Sequence, residues 1–193
     1  MLPEITHTDV FRLETVRLWL RWPEPRDEAA IAEFAAREEV ATMTASWPHP
    51  LPAGEVARRI GWVRDNNGTG RTLTLAITRK ATPSTVIGLI GGSPDKDAPQ
   101  VSHGVGYMLA PGHWGQGVIS EALAAYRDVI FQLTPVGQLT AYVRTINPAS
   151  RRVLEKTGFR HVERTAMDMP ARGTAIPVDR FALDRPVRDG RKG

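Results

Sequence analysis

Gly106-Tyr107-Met108-Leu109-Ala110-Pro111-Gly112-His113-Trp114-Gly115-Gln116-Gly117-Val118-Ile119-Ser120-Glu121-Ala122 joins a strand to a long helix through a glycine-rich turn. Val105, Tyr107 and Leu109 fall on one side of an alternating run. After the turn, Val118, Ile119, Ala122, Tyr126, Val129, Ile130 and Leu133 recur at helical spacing. The start of a helix carries unpaired N–H groups and the positive end of the helix dipole, and together these bind an anion. Gly115 and Gly117 let the backbone approach such a ligand with no Cβ in the way. The same glycines also suit a tight turn that holds no ligand. Two other phosphate-binding signatures do not fit. A P-loop needs Gly-Lys-Ser/Thr, and this turn has no Lys. A dinucleotide fingerprint needs a third glycine within a βαβ unit, whereas here that glycine is absent and the preceding strands read as antiparallel.

Upstream, Thr15–Trp22 sets Val16, Leu18, Leu20 and Trp22 against Arg17, Trp19 and Arg21, a strand that Pro23 and Pro25 end. Asp27 is placed to cap a helix reaching to about Arg37. Pro52 suits the first turn of a second helix with Val56, Ile60 and Val63 inward. Asn66-Asn67-Gly68-Thr69-Gly70 reads as a turn. Arg71–Arg79, Thr85–Ile90 and Val101–Leu109 read as an antiparallel meander. Downstream, Gln138–Arg144 is a short strand. Asn147-Pro148 opens a helix with a side-chain cap and a proline in the first position, and Gly158 closes it. Phe159–Met167 and Ile176–Leu183 are two late strands. The fold class is therefore α/β (α+β): a mixed, mostly antiparallel central sheet of about six to seven strands with helices packed on it. One domain is expected over residues 11–185, with 1–10 and 186–193 frayed.

The chain has 193 residues, 41% hydrophobic and 24% charged, enough for one domain with its own core. No apolar run approaches the length of about 18 residues that a membrane span needs, and the N-terminus lacks the basic-then-apolar pattern of a secretory signal. There is no cysteine, so no disulfide, thiolate metal ligand or cysteine nucleophile exists, and a cytoplasmic location is expected. His7, His49, His103, His113 and His161 show no metal-binding spacing, so no metal is expected. A net charge of +4 raises nucleic-acid binding as a function class. The basic residues are scattered, however, and the one dense run, Arg180 to Lys192, is broken by Asp184, Pro186, Asp189 and Gly190. It reads as a solvated tail, and neither a nucleic-acid nor a membrane partner is expected.

A second constellation, Asn147-Pro148-Ala149-Ser150-Arg151-Arg152-Val153-Leu154-Glu155-Lys156-Thr157-Gly158-Phe159, follows the first. Alone it is a well-capped helix packing through Val153 and Leu154. In this order and spacing the two segments resemble the GNAT superfamily of N-acetyltransferases, and more closely the branch that acetylates ribosomal-protein N-termini. That branch shares the G-Y-x-L strand, the P-x-x-W-G-x-G turn, the E-A helix and the N-x-x-S-x-x-V-L-E-K-x-G-F helix. Leu13-Glu14-Thr15-Val16-Arg17-Leu18-Trp19-Leu20-Arg21 resembles its first strand.

The resemblance implies an acetyl-CoA-dependent N-acetyltransferase acting on a primary amine, either a protein N-terminus or a small molecule, as a monomer or homodimer. The strand at Tyr107, Met108 and Leu109 would splay from a parallel neighbour near Gln138–Arg144 and pair with pantetheine. Trp114, Gly115, Gln116, Gly117, Val118, Ile119 and Ser120 would wrap the pyrophosphate, Asn147 would hold the pantetheine arm, and Ser150 would protonate the departing thiolate. A backbone N–H near Leu109 would polarise the thioester carbonyl. His103 is the candidate base, because an unperturbed imidazole titrates near neutrality. Trp47, His49, Trp62 and Tyr107 are aromatic candidates for an acceptor pocket. Three positions depart from the family pattern: Ile119 is bulkier than usual, Leu154 stands where many members carry a Tyr acid, and Gly104 stands where relatives carry an acid. The last two leave open a non-catalytic CoA-binding module of the same fold.

Overall fold

A computed structural model describes residues 1–95 and 101–186. Among these, eight strands form one sheet in the order β1-β2-β3-β4-β5-β6-β8-β7. They are β1 (Arg12–Glu14), β2 (Leu18–Arg21), β3 (Leu73–Arg79), β4 (Thr82–Pro94), β5 (Ser102–Leu109), β6 (Gln138–Arg144), β7 (Arg160–Met169) and β8 (Thr174–Asp184). The helices are α1 (Glu28–Ala35), α2 (Glu38–Ala41), α3 (Glu55–Gly68), α4 (Val118–Leu133) and α5 (Pro148–Lys156). Every neighbouring pair of strands is antiparallel except β5 and β6, which are parallel. The mixed, mostly antiparallel α+β sheet expected from the sequence is thus present, with one strand beyond the six to seven expected. The added strand comes from Thr15. Its N–H donates to the Leu18 carbonyl (3.0 Å) and its hydroxyl accepts from the Leu18 N–H (2.9 Å), which folds the segment back into a β1–β2 hairpin.

Side-chain alternation divides the core in two. Leu18, Leu20, Leu75, Ile77, Ile90, Val105 and Leu139 pack with Leu123, Tyr126 and Ile130 of α4 and Leu154 of α5. On the other face, Ile31 and Phe34 of α1, Val40 of α2, and Val56 and Ile60 of α3 pack against Ala76, Val86 and Met108.

Several local expectations are overturned, each for a visible reason. Asp27 precedes α1, but its carboxylate takes two bonds from the Arg21 guanidinium (2.7 and 2.8 Å) and one from the Glu24 N–H (2.7 Å), so it does not cap that helix. Helix α3 opens at Glu55, behind Gly54 at φ 72°, not at Pro52. It then continues through Asn66-Asn67-Gly68, which the sequence suggested was a turn. Asn67 is buried there, and its amide donates to the Thr74 carbonyl and accepts from the Thr74 N–H (both 2.9 Å) and the Thr72 hydroxyl (2.9 Å). The N-terminal segment is not frayed throughout. Leu2 and Thr6 are buried, and the Leu2 N–H donates to the Gly70 carbonyl (2.9 Å). At the other end Pro186 is exposed, and the rest of the tail, residues 187–193, lies outside the described residues.

His103 is sealed in the α4 core, 1% exposed. The Tyr126 hydroxyl donates its proton to the Leu73 carbonyl (2.9 Å), so the 3.1 Å contact with His103 Nε2 requires the imidazole to be the donor. Burial pulls the His103 pKa down to about 4. Between that value and its ordinary pKa near 6.5, the unfolded chain holds a proton that the native chain does not. Stability contributed by neutral His103 is therefore present above pH 6.5 and lost as pH falls toward 4, by an amount on the order of 3 kcal/mol. The melting temperature should drop across this window, and the drop should shrink in His103→Gln. Identical pH profiles for the two proteins would assign the drop to another group.

Candidate active site

Strands β5 and β6 pair only at Ser102↔Gln138, His103↔Leu139 and Gly104↔Thr140. Past that point β5 runs on to Leu109 beside β4, and β6 to Arg144 beside β8. The two central strands diverge and open a cavity of about 1420 Å³. The phase of the β4–β5 ladder decides which backbone groups face it. Ala110 N–H donates to the Ile87 carbonyl and Asp95 N–H to the Ser102 carbonyl, both at 2.8 Å. By antiparallel alternation, even-numbered residues of β5 bond β4, and the N–H groups of Val105, Tyr107 and Leu109 face the open edge. The Leu109 carbonyl on that edge is taken by the Trp114 indole N–H at 2.9 Å.

The turn at the end of β5 borders the same cavity. Gly115 and Gly117 sit at φ 74° and 73°, a left-handed conformation that side-chain-bearing residues disfavour. Space is not the constraint: a Cβ at Gly115 would meet nothing within 4 Å, and one at Gly117 only the Arg17 guanidinium at 3.6 Å. No side chain caps α4, whose first bond runs from Glu121 N–H to the Gly117 carbonyl (3.1 Å). The N–H groups of Val118, Ile119 and Ser120 are therefore outside the helical ladder. Ile119, bulky for its place, is 7% exposed and packs in the α4 core, clear of that row of donors.

A clamp holds this turn from outside. The Glu121 carboxylate accepts from the Thr15 hydroxyl (2.6 Å), the Arg17 N–H (2.8 Å) and Arg17 Nε (2.6 Å). Burial pushes its pKa up, but these bonds outweigh burial and hold it below the usual carboxylate range. Arg17 Nη1 reaches on to the Gln116 carbonyl (3.1 Å), while the Gln116 side chain donates to the Gly112 carbonyl (2.9 Å) and accepts from Arg79. Arg17, Arg79 and Glu121 were not singled out in the sequence. The available signal was that Thr15-Val16-Arg17 and Glu121 both belong to the shared motifs.

On the far side of the cavity, Asn147 Oδ1 caps α5 by accepting from the Ser150 N–H (3.0 Å). The Tyr107 hydroxyl donates its one proton to the Ser150 carbonyl (3.3 Å), so across their 2.9 Å contact it accepts from the Ser150 hydroxyl. Burial raises the Tyr107 pKa to about 12, so this phenol keeps its proton. The structure thus gathers Tyr107, Met108, Leu109, Trp114, Gly115, Gly117, Val118, Ile119, Ser120, Asn147 and Ser150 around one cavity, with Gln116 bound to its rim. His103 does not join them. It shares the parity of Tyr107, but α4 covers the face it points to, and Tyr126 closes over it. Leu154 is fully buried in the core. Trp47 and Trp62 line the cavity, whereas the His49 ring is turned to the Ala36 carbonyl (3.1 Å).

Loosening the clamp should be felt as weaker binding of a diphosphate ligand, with the fold intact. Glu121→Gln and Arg17→Ala should each raise the Kd for coenzyme A by about tenfold, the cost of roughly one charge-assisted hydrogen bond. Calorimetric titration that returns wild-type affinity for both variants would make the clamp a surface ornament.

Comparison with known proteins agrees with this geometry. A family model described as an acetyltransferase (GNAT) domain matches residues 17–160. The uncharacterized protein YkkB of Bacillus subtilis (strain 168) is 30% identical over 153 residues, which is 78% of this chain and 86% of that protein. Among solved structures, a ribosomal-protein-S5-alanine acetyltransferase from Vibrio fischeri superposes with a TM-score of 0.75 at 18% identity, covering 91% of this chain and 100% of the other. Mycobacterium smegmatis RimJ, solved with CoA-disulfide, gives a TM-score of 0.72 at 22% identity over 86% and 81% of the two chains. The microcin C7 self-immunity acetyltransferase MccE, solved with acetyl-CoA and AMP, gives 0.75 at 14% identity over 89% and 94%. The family model spans most of the chain, and the chain belongs to the GNAT acetyltransferase family.

Proposed function

We propose that the protein transfers an acetyl group from acetyl-CoA to a primary amine by direct attack within a ternary complex. One observation carries this reading: the unpaired β5 edge beyond Gly104↔Thr140 and, after the turn at 110–117, the open N-terminus of α4 line one cavity. Pantetheine, which has amides of its own, would pair with that edge as a short strand. The diphosphate would lie on the N–H groups of Val118, Ile119 and Ser120, where the helix dipole favours negative charge. Asn147 spends its carbonyl oxygen on the cap, and its amide N–H groups remain to hold the pantetheine arm.

In the chemical step the amine lone pair attacks the thioester carbonyl carbon. A C–N bond forms, the C–S bond breaks, the nitrogen gives up one proton and the sulfur gains one. The Leu109 N–H on the open edge is the donor for the carbonyl oxygen as charge builds there. The Ser150 hydroxyl would protonate the sulfur; the Tyr107 phenol, kept protonated by a pKa of about 12, would turn its proton from the Ser150 carbonyl to the Ser150 oxygen 2.9 Å away, and water would return a proton to the phenol. This pair would do from β5 what a tyrosine at position 154 does in many relatives. His103, sealed away from the cavity, is dropped as the base. The amine proton then leaves through water in the open cavity. Proximity of the two reactants supplies much of the rate.

Steady-state assays that follow free thiol release with a panel of primary amines test the reading. Amine-dependent thiol release is the expected result; binding of CoA without any turnover would favour the non-catalytic module. Ser150→Ala should lower kcat by about a hundredfold, near the lower end of general acid catalysis, with CoA affinity within about twofold. Tyr107→Phe should show the same pattern more weakly. If Ser150→Ala weakens CoA binding and leaves kcat alone, Ser150 is a capping residue only.

A further inference from the structure

Four of the five methionines in the chain, Met43, Met108, Met167 and Met169 among them, line this one cavity. They arrive from unrelated places: the segment after α2, the end of β5, and the end of β7. With Trp47 and Trp62 they give the cavity an apolar wall. The end of the β7–β8 hairpin holds this wall in place. Arg172 donates to the carbonyls of Ala41 and Trp47 (2.7 Å to the latter), and the Ala171 N–H donates to the Ala45 carbonyl (3.3 Å).

Part of the cavity floor is bare backbone. Gly104 and Gly106 have the parity of Met108, away from α4. A Cβ at Gly106 would meet nothing within 4 Å, and at Gly104 nothing nearer than 3.9 Å. The absence of side chains there leaves width beside the carbonyl to be attacked. Several charged groups at or near this wall already have partners. Arg59 lies over the Trp47 ring at 4.5 Å, bonds Glu55 at 2.6 Å and donates to the Ser46 carbonyl. Glu39 faces Arg37 at 3.6 Å. Beyond Met167, Asp95 is 3.4 Å from the Ser102 hydroxyl and Glu163 is 3.7 Å from Arg180.

We infer that the acceptor is a small primary amine carried on an apolar, ring-sized body, and that neither a polyamine nor a peptide N-terminus is the preferred substrate; this rests on the acetyltransferase reading above. Thioethers are polarizable and conformationally adaptable, so a methionine wall accommodates apolar groups of varied shape. A polyamine would bring extra ammonium groups to a wall whose carboxylates are already paired, and burying them there without a partner is costly. A peptide would bring amide groups against the thioethers and methylenes of four methionines, which donate no hydrogen bonds. An apolar body, in contrast, gains from every methylene it buries. The chamber also favours the reactive species, because desolvation disfavours an ammonium and the neutral amine is the nucleophile.

A homologous series of n-alkylamines from ethylamine to hexylamine keeps the amine chemistry constant and lengthens only the apolar body. With saturating acetyl-CoA, kcat/KM should rise about fourfold per added methylene until the chamber is full. 2-Phenylethylamine should exceed spermidine and a peptide beginning with Ala or Ser by at least about a hundredfold. Met43→Gln and Met167→Gln change partly exposed positions, so the core is not put at risk. Each should flatten the series while the Kd for CoA, measured by calorimetry, stays unchanged. CoA binding with a flat series, with no amine acetylated, or with the peptide or spermidine preferred overturns the inferred acceptor class. Failure to bind CoA at all overturns instead the acetyltransferase reading on which it rests.

Discussion

Backbone N–H and C=O groups inside a fold must find partners, and β5 and β6 stop partnering one another at Gly104↔Thr140. This loss of pairing in the middle of an eight-stranded sheet is the constraint around which the rest of the molecule is arranged. The gap cannot close, because each strand is committed elsewhere. β5 is held along its length by β4, and β6 is held over all seven residues by β8. Nor is the gap filled by side chains, since Gly104 and Gly106 present none. What remains is a strand edge with its donors in register, wide enough for an extended chain of another molecule to add as a strand.

The helices give that edge its direction. α4 packs its apolar stripe on one face of the sheet and begins beyond the glycine turn at 110–117 that follows β5, so the donors of both border the same cavity. Two left-handed glycines turn the chain tightly enough to make this possible. The β1–β2 hairpin reaches across through Arg17 and fixes the turn against Glu121. The opposite face carries α1, α2 and α3, and the cavity lining combines two chemistries: polar backbone donors from β5 and α4, and an adaptable apolar surface of methionine and tryptophan.

Much of this was legible in the sequence, and the legible parts share a cause. Strand β5, the turn, α4 and α5 are specified by short-range patterns: strict alternation, glycines before a helical stripe, and Asn147-Pro148 at a helix start. Elements decided by long-range partners were not readable. Asn67 looks like a turn former until its amide is seen bridging α3 to Thr74. Asp27 looks like a cap until Arg21 claims it. Thr15 divides what reads as one strand. His103 shows the limit most clearly: alternation placed it correctly with Tyr107, but nothing local says that α4 will cover position 103 while leaving position 107 at the cavity. The methionine wall is assembled from segments far apart in the chain and has no signature within any one of them.

The central claim is that the unpaired β5 edge and the start of α4 together receive coenzyme A. Backbone amide resonances of the isotope-labelled protein, followed during titration with CoA, test it residue by residue. The account expects the largest shifts at Val105, Tyr107, Leu109, Val118, Ile119 and Ser120, with Met108 and Ala110, whose N–H groups belong to the β4 ladder, moving less. Saturating CoA that leaves these amides in place, or moves a set elsewhere on the molecule, would contradict it.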